Sequence, residues 1–167
     1  MGVLMTIFLT IFAGVCVFVI GQAVMLFVIH PIHQQKETIG KVADFLIYHA
    51  NRYTSPGMRL PREYVNEAAE RSRREQLTET RDIARLLATE LMVRTVAIPR
   101  YGWIECMRFG PKRSHIREAH QGLLFISNAM FDVGLAIQNY EQAKRIEKSL
   151  GITTDFQVEE PEANGDG

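Results

Sequence analysis

The sequence predicts an all-α protein: one N-terminal transmembrane helix followed by a small cytoplasmic bundle of about three to four helices. Three observations predict it. Residues 3–29 form an apolar run without a charge. Residues 31–150 repeat apolar side chains at helical spacing between turn signals. Charge is laid out in blocks along a chain whose 19 basic and 19 acidic side chains cancel. Residues 1–35 carry no charged side chain, residues 36–152 hold all 19 basic groups against 14 acidic ones, and residues 153–167 hold five acidic groups and no basic one. The expected division is an anchor over 1–29, a helical domain over 30–152 and a disordered acidic tail over 153–167.

The anchor reads VLMTIFLTIFAGVCVFVIGQAVMLFVI, in which Gln22 is the only strongly polar side chain besides two threonines. A helix needs about 20 such residues to cross a bilayer. A cleaved secretory signal would have a basic start and an apolar centre of about 7–15 residues. This start has no Lys or Arg and its apolar centre is longer, which favours an uncleaved span. Lys36, Lys41 and Arg52 follow the span and no charged side chain precedes it, so the positive-inside rule puts the domain in the cytoplasm and the amino terminus outside. Met1-Gly2 with Thr6 fits the myristoylation pattern, but a chain that already spans gains little from one acyl group. Thr10, Gly14, Val17 and Gly21 recur at spacings of four, three and four, a stripe on which another helix could approach closely, with Gln22 beside it as a hydrogen-bond donor. The two cysteines, Cys16 in the span and Cys106 in the body, make no disulfide framework, as expected in a reducing compartment.

At the end of the span, HPIH offers His30 and His33 on one helical face. Two imidazoles are too few for a metal, and His49, His115 and His120 show neither HExxH nor ExxH spacing. They read as an interfacial belt, with Pro31 opening a new helical segment.

Residues 31–53 then carry a stripe of Ile32, Ile39, Val42, Phe45, Leu46 and Tyr53 that includes His49, expected as a hydrogen-bonded core histidine. TSPG, residues 54–57, ends that helix and Pro61 opens the next, over 62–97. Its first part, RSRREQLTETRD (71–82), is expected to be solvated. Its second, IARLLATELMVRTVAI (83–98), is expected to be buried. Glu67 with Arg71 and Glu70 with Arg74 are spaced for ion pairs, which favours a solvated face over a nucleic-acid patch. After PRYGWIECMRFGPKR (99–113), Ser114 can cap a helix over 115–131 bearing Ile116, Leu123, Leu124 and Ile126. Asp132 to Gly134 interrupt it, and a last helix reaches Leu150, with Tyr140, Ala143, Ile146 and Leu150 inward and Gly151 as its cap.

Residues 99–113 set the only tryptophan among aromatic and basic side chains. If residues 31–53 climb about 35 Å from the membrane, a second helix of some 35 residues descends about 50 Å and brings this stretch back to the headgroups. The candidate interfacial and partner-binding residues are therefore His30, His33, Arg100, Tyr101, Trp103, Arg108, Phe109, Lys112 and Arg113. A tryptophan in an ordinary interhelical loop is the rival reading.

The blocks HPIHQQK, ADFLIYHAN, RTVAIPRYGW and GPKR followed by GLLFISN resemble uncharacterised single-span bacterial membrane proteins over most of residues 30–152. That resemblance implies a bacterial cytoplasmic membrane and no particular activity. The chain has no phosphate loop, GxSxG elbow or dinucleotide fingerprint. A further alternative is an anchored enzyme with a site assembled between helices, for example from Asp44, His49 and His120. The favoured expectation is a non-catalytic accessory or adaptor subunit, which requires an anchor and a packed face and neither metal nor cofactor. Its expected partners are membrane lipid and another membrane protein, or a second copy, met through the span. The alternative is a tethered binder of anionic lipid, or less readily of nucleic acid, through residues 99–113.

Overall fold

The computed structural model describes residues 2–54, 67–99, 101–106 and 108–152, apart from the side chains of Trp103 and Val133. All regular structure among these residues is helical. Helix α1 (Gly2–Val24) passes through a π-helical stretch (Met25–Ile29) into α2 (His30–Tyr48), forming one helix of 47 residues that is long and apolar enough to cross a membrane. At 1.5 Å per residue it is about 70 Å long. Pro31 does not open a separate segment, contrary to expectation. Its ring would press on the carbonyl four residues back, and the π turn, in which the His30 N–H bonds to the Met25 carbonyl, widens the backbone just there.

Beyond the span the helix acquires an inner face. Val42, Phe45, Leu46 and His49 are buried and Ile32 and Ile39 half-buried, as the stripe predicts, but Gln35 and Thr38 are buried with them. The helix breaks at His49, and α3 (Ala50–Thr54) tucks Tyr53 back so that its hydroxyl donates to the Leu46 carbonyl at 2.7 Å. The TSPG turn and the Pro61 helix start lie outside the described residues.

Helix α4 (Glu67–Val96) runs antiparallel to α2, as its contacts show: Arg52 reaches Thr80, Thr38 reaches Glu90, and Gln35 reaches Thr95. Its first turns are solvated and carry the Glu67–Arg71 and Glu70–Arg74 pairs at 3.3 and 3.2 Å, each fully on the surface and worth only a few tenths of a kcal/mol. Its second half buries Ala84, Leu87, Ala88, Leu91 and Thr95. The chain then turns through α5 (Gly102–Cys106) into α6 (Arg113–Ala129). The cap of α6 is Lys112, without a side-chain hydrogen bond; Ser114 falls inside the first turn and does not cap it, because the extended backbone after Pro111 ends two residues earlier than expected.

Asp132 accepts the Gly134 N–H at 2.9 Å and turns the chain through a short 3-10 segment (Val133–Leu135) into α7 (Ala136–Leu150). Gly151, at φ 67°, ends α7 in the left-handed conformation that glycine tolerates, and the Ile152 N–H closes on the Glu147 carbonyl. Ala143, Ile146 and Leu150 face inward, but Tyr140 does not. The inward position is Asn139, one residue earlier, whose amide donates to the Tyr53 carbonyl at 3.0 Å and ties α7 to α3.

In the bundle, α6 packs between α4 and α7, α2 lies along α4, and α3 rests on α7. The α6–α7 approach is close because Gly122 faces Ile146: a Cβ at Gly122 would stand 2.7 Å from Ile146 Cγ1. The anchor takes no part in this core, and no residue of α1 is buried.

Candidate functional site

The descent of α4 ends beside the first turns of α2. The Arg94 guanidinium donates to Gln34 Oε1 at 2.6 Å, and Thr95 meets Gln35. Residues 98–109 are thereby laid against the end of the apolar run, where they and the helix enclose an apolar groove of about 630 Å³. One wall is Phe27, Val28, Ile29 and Ile32; the other is Ile98, Pro99, Ile104 and Phe109, with His33 and Lys36 at the rim. Its size lies within the range of small-ligand sites.

A buried polar latch holds the second wall in place. The Gln35 amide, 1% exposed, donates to Thr95 Oγ1 at 3.1 Å and to the Tyr101 hydroxyl at 2.9 Å, and that hydroxyl donates to the Pro111 carbonyl at 2.7 Å. Four points of the chain meet there. Burial, only partly offset by the Gln35 bond, holds the Tyr101 phenol above its ordinary range, so it stays protonated as a donor. Outside the latch, the Arg113 guanidinium lies 5.5 Å from the centre of the Tyr101 ring, and the Arg113 N–H donates to Glu105 at 2.6 Å. Arg108 adopts φ 59°, costing a non-glycine residue about 1 kcal/mol, and by doing so turns Phe109 back so that its N–H reaches the Ile104 carbonyl.

The sequence-predicted residues thus divide. His33 and Phe109 border the groove, His30 pairs with Gln34 at 2.8 Å one turn away, and Arg108, Lys112 and Arg113 are exposed on the same segment. Tyr101 is a correction: at 1% exposure it is a core residue and cannot sit on an interface, because its ring closes the latch. Arg100 and the Trp103 side chain lie outside the described residues. On the span, Gly14 and Gly21 have open space where a Cβ would stand, Val17 and Gln22 are exposed, and the Thr10 hydroxyl donates to the Thr6 carbonyl. Among the described residues nothing covers the stripe.

Comparison with protein families, curated proteins and solved structures finds no match.

His120 and His49 have separate surroundings in the bundle. His120 holds the Ala88 carbonyl on α4 at 2.9 Å. His49 is buried against Phe45 and Tyr48, with ring centres 5.2 and 5.0 Å away, and its Nδ1 meets no hydrogen-bond partner among the described residues. Burial, then the nearby Arg52, lowers its pKa, while Glu79 and Asp44 pull weakly the other way. Among the described residues no three His, Cys, Asp or Glu side chains converge in a way that could hold a metal. Sequence reasoning missed Gln35 and Thr95, although Gln35 falls three residues after Ile32 and four before Ile39, inside the apolar stripe.

Proposed function

We propose that this protein is a membrane-anchored, non-catalytic accessory subunit that docks on another membrane protein, or on a second copy of itself, through its span, with the amino terminus outside and the helical domain in the cytoplasm of a bacterial cell. One observation carries this reading: the apolar helix α1, with no buried residue and an open face at Gly14 and Gly21, continues without a break into the first helix of the domain. A partner helix packed on that face would fix the azimuth of the whole domain, since 47 residues of one helix transmit rotation directly. The orientation is supported by Lys36, Lys41 and Arg52 following the span, with none before it.

Association is tested by replacing Gly14 and Gly21 together with Ile. The branched side chains fit a membrane helix but hold a partner backbone away, and co-purification of the partner is expected to fall at least tenfold, about 1.4 kcal/mol. Association that survives the double substitution would contradict the docking role of this face. Orientation has a natural reporter in the exposed Cys106. With Cys16 replaced by Ala, a membrane-impermeant maleimide is expected to leave intact cells unlabelled and to label the protein once the membrane is opened; labelling of intact cells would reverse the topology.

A further inference from the structure

We infer that the groove between the end of the span and residues 98–109 binds one anionic phospholipid, its acyl chain between the two apolar walls and its phosphate at Lys36 and Arg108. The inference rests on the membrane insertion proposed above and adds a ligand to it. Location is the first argument. The apolar run of 27 residues would measure about 40 Å, whereas the hydrocarbon core is about 30 Å thick. Tilting accommodates that excess length and brings Phe27 and Ile29 to the acyl boundary, with Ile98, Ile104 and Phe109 across the groove from them. What surrounds the groove there is lipid, so an acyl chain is the occupant in excess, and an apolar hollow of about 630 Å³ is filled by it in preference to water.

Charge is the second argument. The rim side chain Lys36 makes no ion pair or hydrogen bond among the described residues, whereas Lys41, one turn further from the span, is engaged by both Glu37 and Glu90. The acids next to these cations in sequence are engaged elsewhere, Glu37 by Lys41 and Glu105 by the Arg113 N–H. Arg108 is exposed on the turn that presents Phe109 to the groove, and it keeps a left-handed backbone that glycine would take more readily. Lys36 thus lines the groove and Arg108 adjoins its wall residue Phe109, and neither side chain makes an ion pair or hydrogen bond among the described residues.

The test is native mass spectrometry of the full chain in mild detergent, titrated with phosphatidylglycerol or with phosphatidylcholine. One phosphatidylglycerol per chain is expected to survive gas-phase stripping, with phosphatidylcholine retained far less. Lys36→Gln and Arg108→Gly are each expected to reduce that preference about fivefold, the effect of roughly one charge at a membrane surface. Both positions are exposed, and glycine suits the backbone at 108, so circular dichroism should show folding intact. Phe109→Ser, at an exposed wall position, is expected to lose the adduct with either headgroup. Equal retention of the two lipids, or adducts indifferent to all three variants, would mean lipid around the span only and overturn the inference. A co-purifying protein in place of the lipid adduct would overturn it too. Resistance of the chain to alkaline extraction from membranes reports insertion separately, so loss of the lipid with insertion intact sinks this inference and leaves the accessory role standing.

Discussion

Tyr101→Phe is expected to destabilise the domain by about 1–3 kcal/mol, and Tyr101→Ala by about 3–5 kcal/mol. The two losses have different origins. Phenylalanine keeps the ring but removes the hydroxyl that receives the Gln35 amide and donates to the Pro111 carbonyl, leaving a buried amide and a part-buried carbonyl without that partner. Alanine adds a cavity, since Tyr101 is among the largest fully buried side chains. Against a total stability of about 5–15 kcal/mol either change is large, and at about 4 °C per kcal/mol it is readable in a thermal melt followed by circular dichroism. Gln35→Leu is expected to be milder than Tyr101→Ala, because Thr95 and Tyr101 still donate to the Leu91 and Pro111 carbonyls in its absence. Equal melting of the Tyr101→Phe variant and the parent would show that the latch contributes nothing.

The second large effect sits at Gly122. A Cβ there would meet Ile146 Cγ1 at 2.7 Å and Cδ1 at 2.9 Å, so the fully buried Ile146 side chain or the helices themselves must shift. Gly122→Leu is expected to cost about 3 kcal/mol or more by forcing α6 and α7 apart. Gly122→Ala sets the same clash against a gain of about 1 kcal/mol in helix propensity, so its loss is smaller. Gly40 supplies the control: it lies mid-helix, and a Cβ added there would meet nothing within 4 Å, so Gly40→Ala is expected to raise stability by about 0.5–1 kcal/mol. Opposite signs at two helical glycines follow from one difference, the presence or absence of a facing helix. A stabilising Gly122→Ala would show that the helices can move apart freely.

Periodicity made much of this fold legible. The length of the apolar run, the inner stripe of α2, the buried second half of α4 and the glycine cap of α7 all follow from local rules, because each depends on residues within a few turns of one another, whereas Leu77 and Thr80 are buried in the stretch expected to be solvated. The return of the chain to the end of the span was legible too, from helix lengths alone. What the sequence could not disclose was which polar groups the core would pair. Gln35 is an ordinary exposed-type residue until Thr95 and Tyr101, 60 and 66 positions later, come to meet it. Tyr101 read as interfacial for the same reason: an amphipathic ring among arginines fits a membrane surface, and only the tertiary position of Gln35 draws it inward. Asn139 takes the inward place because 139, 143, 146 and 150 recur at spacings of four, three and four, whereas Tyr140 lies one residue, about 100°, off that stripe. Pro31 was read as a helix start when a π turn absorbed it instead, a backbone adjustment with no signature in side-chain pattern.

The accessory role is tested most directly by the mass of the particle extracted in mild detergent from its native membrane, with every co-eluting chain identified. A stoichiometric second chain is expected, either a different membrane protein or another copy of this one, that is lost when Gly14 and Gly21 are both Ile. A particle containing a single copy, unchanged by that double substitution and turning over a substrate on its own, would contradict it.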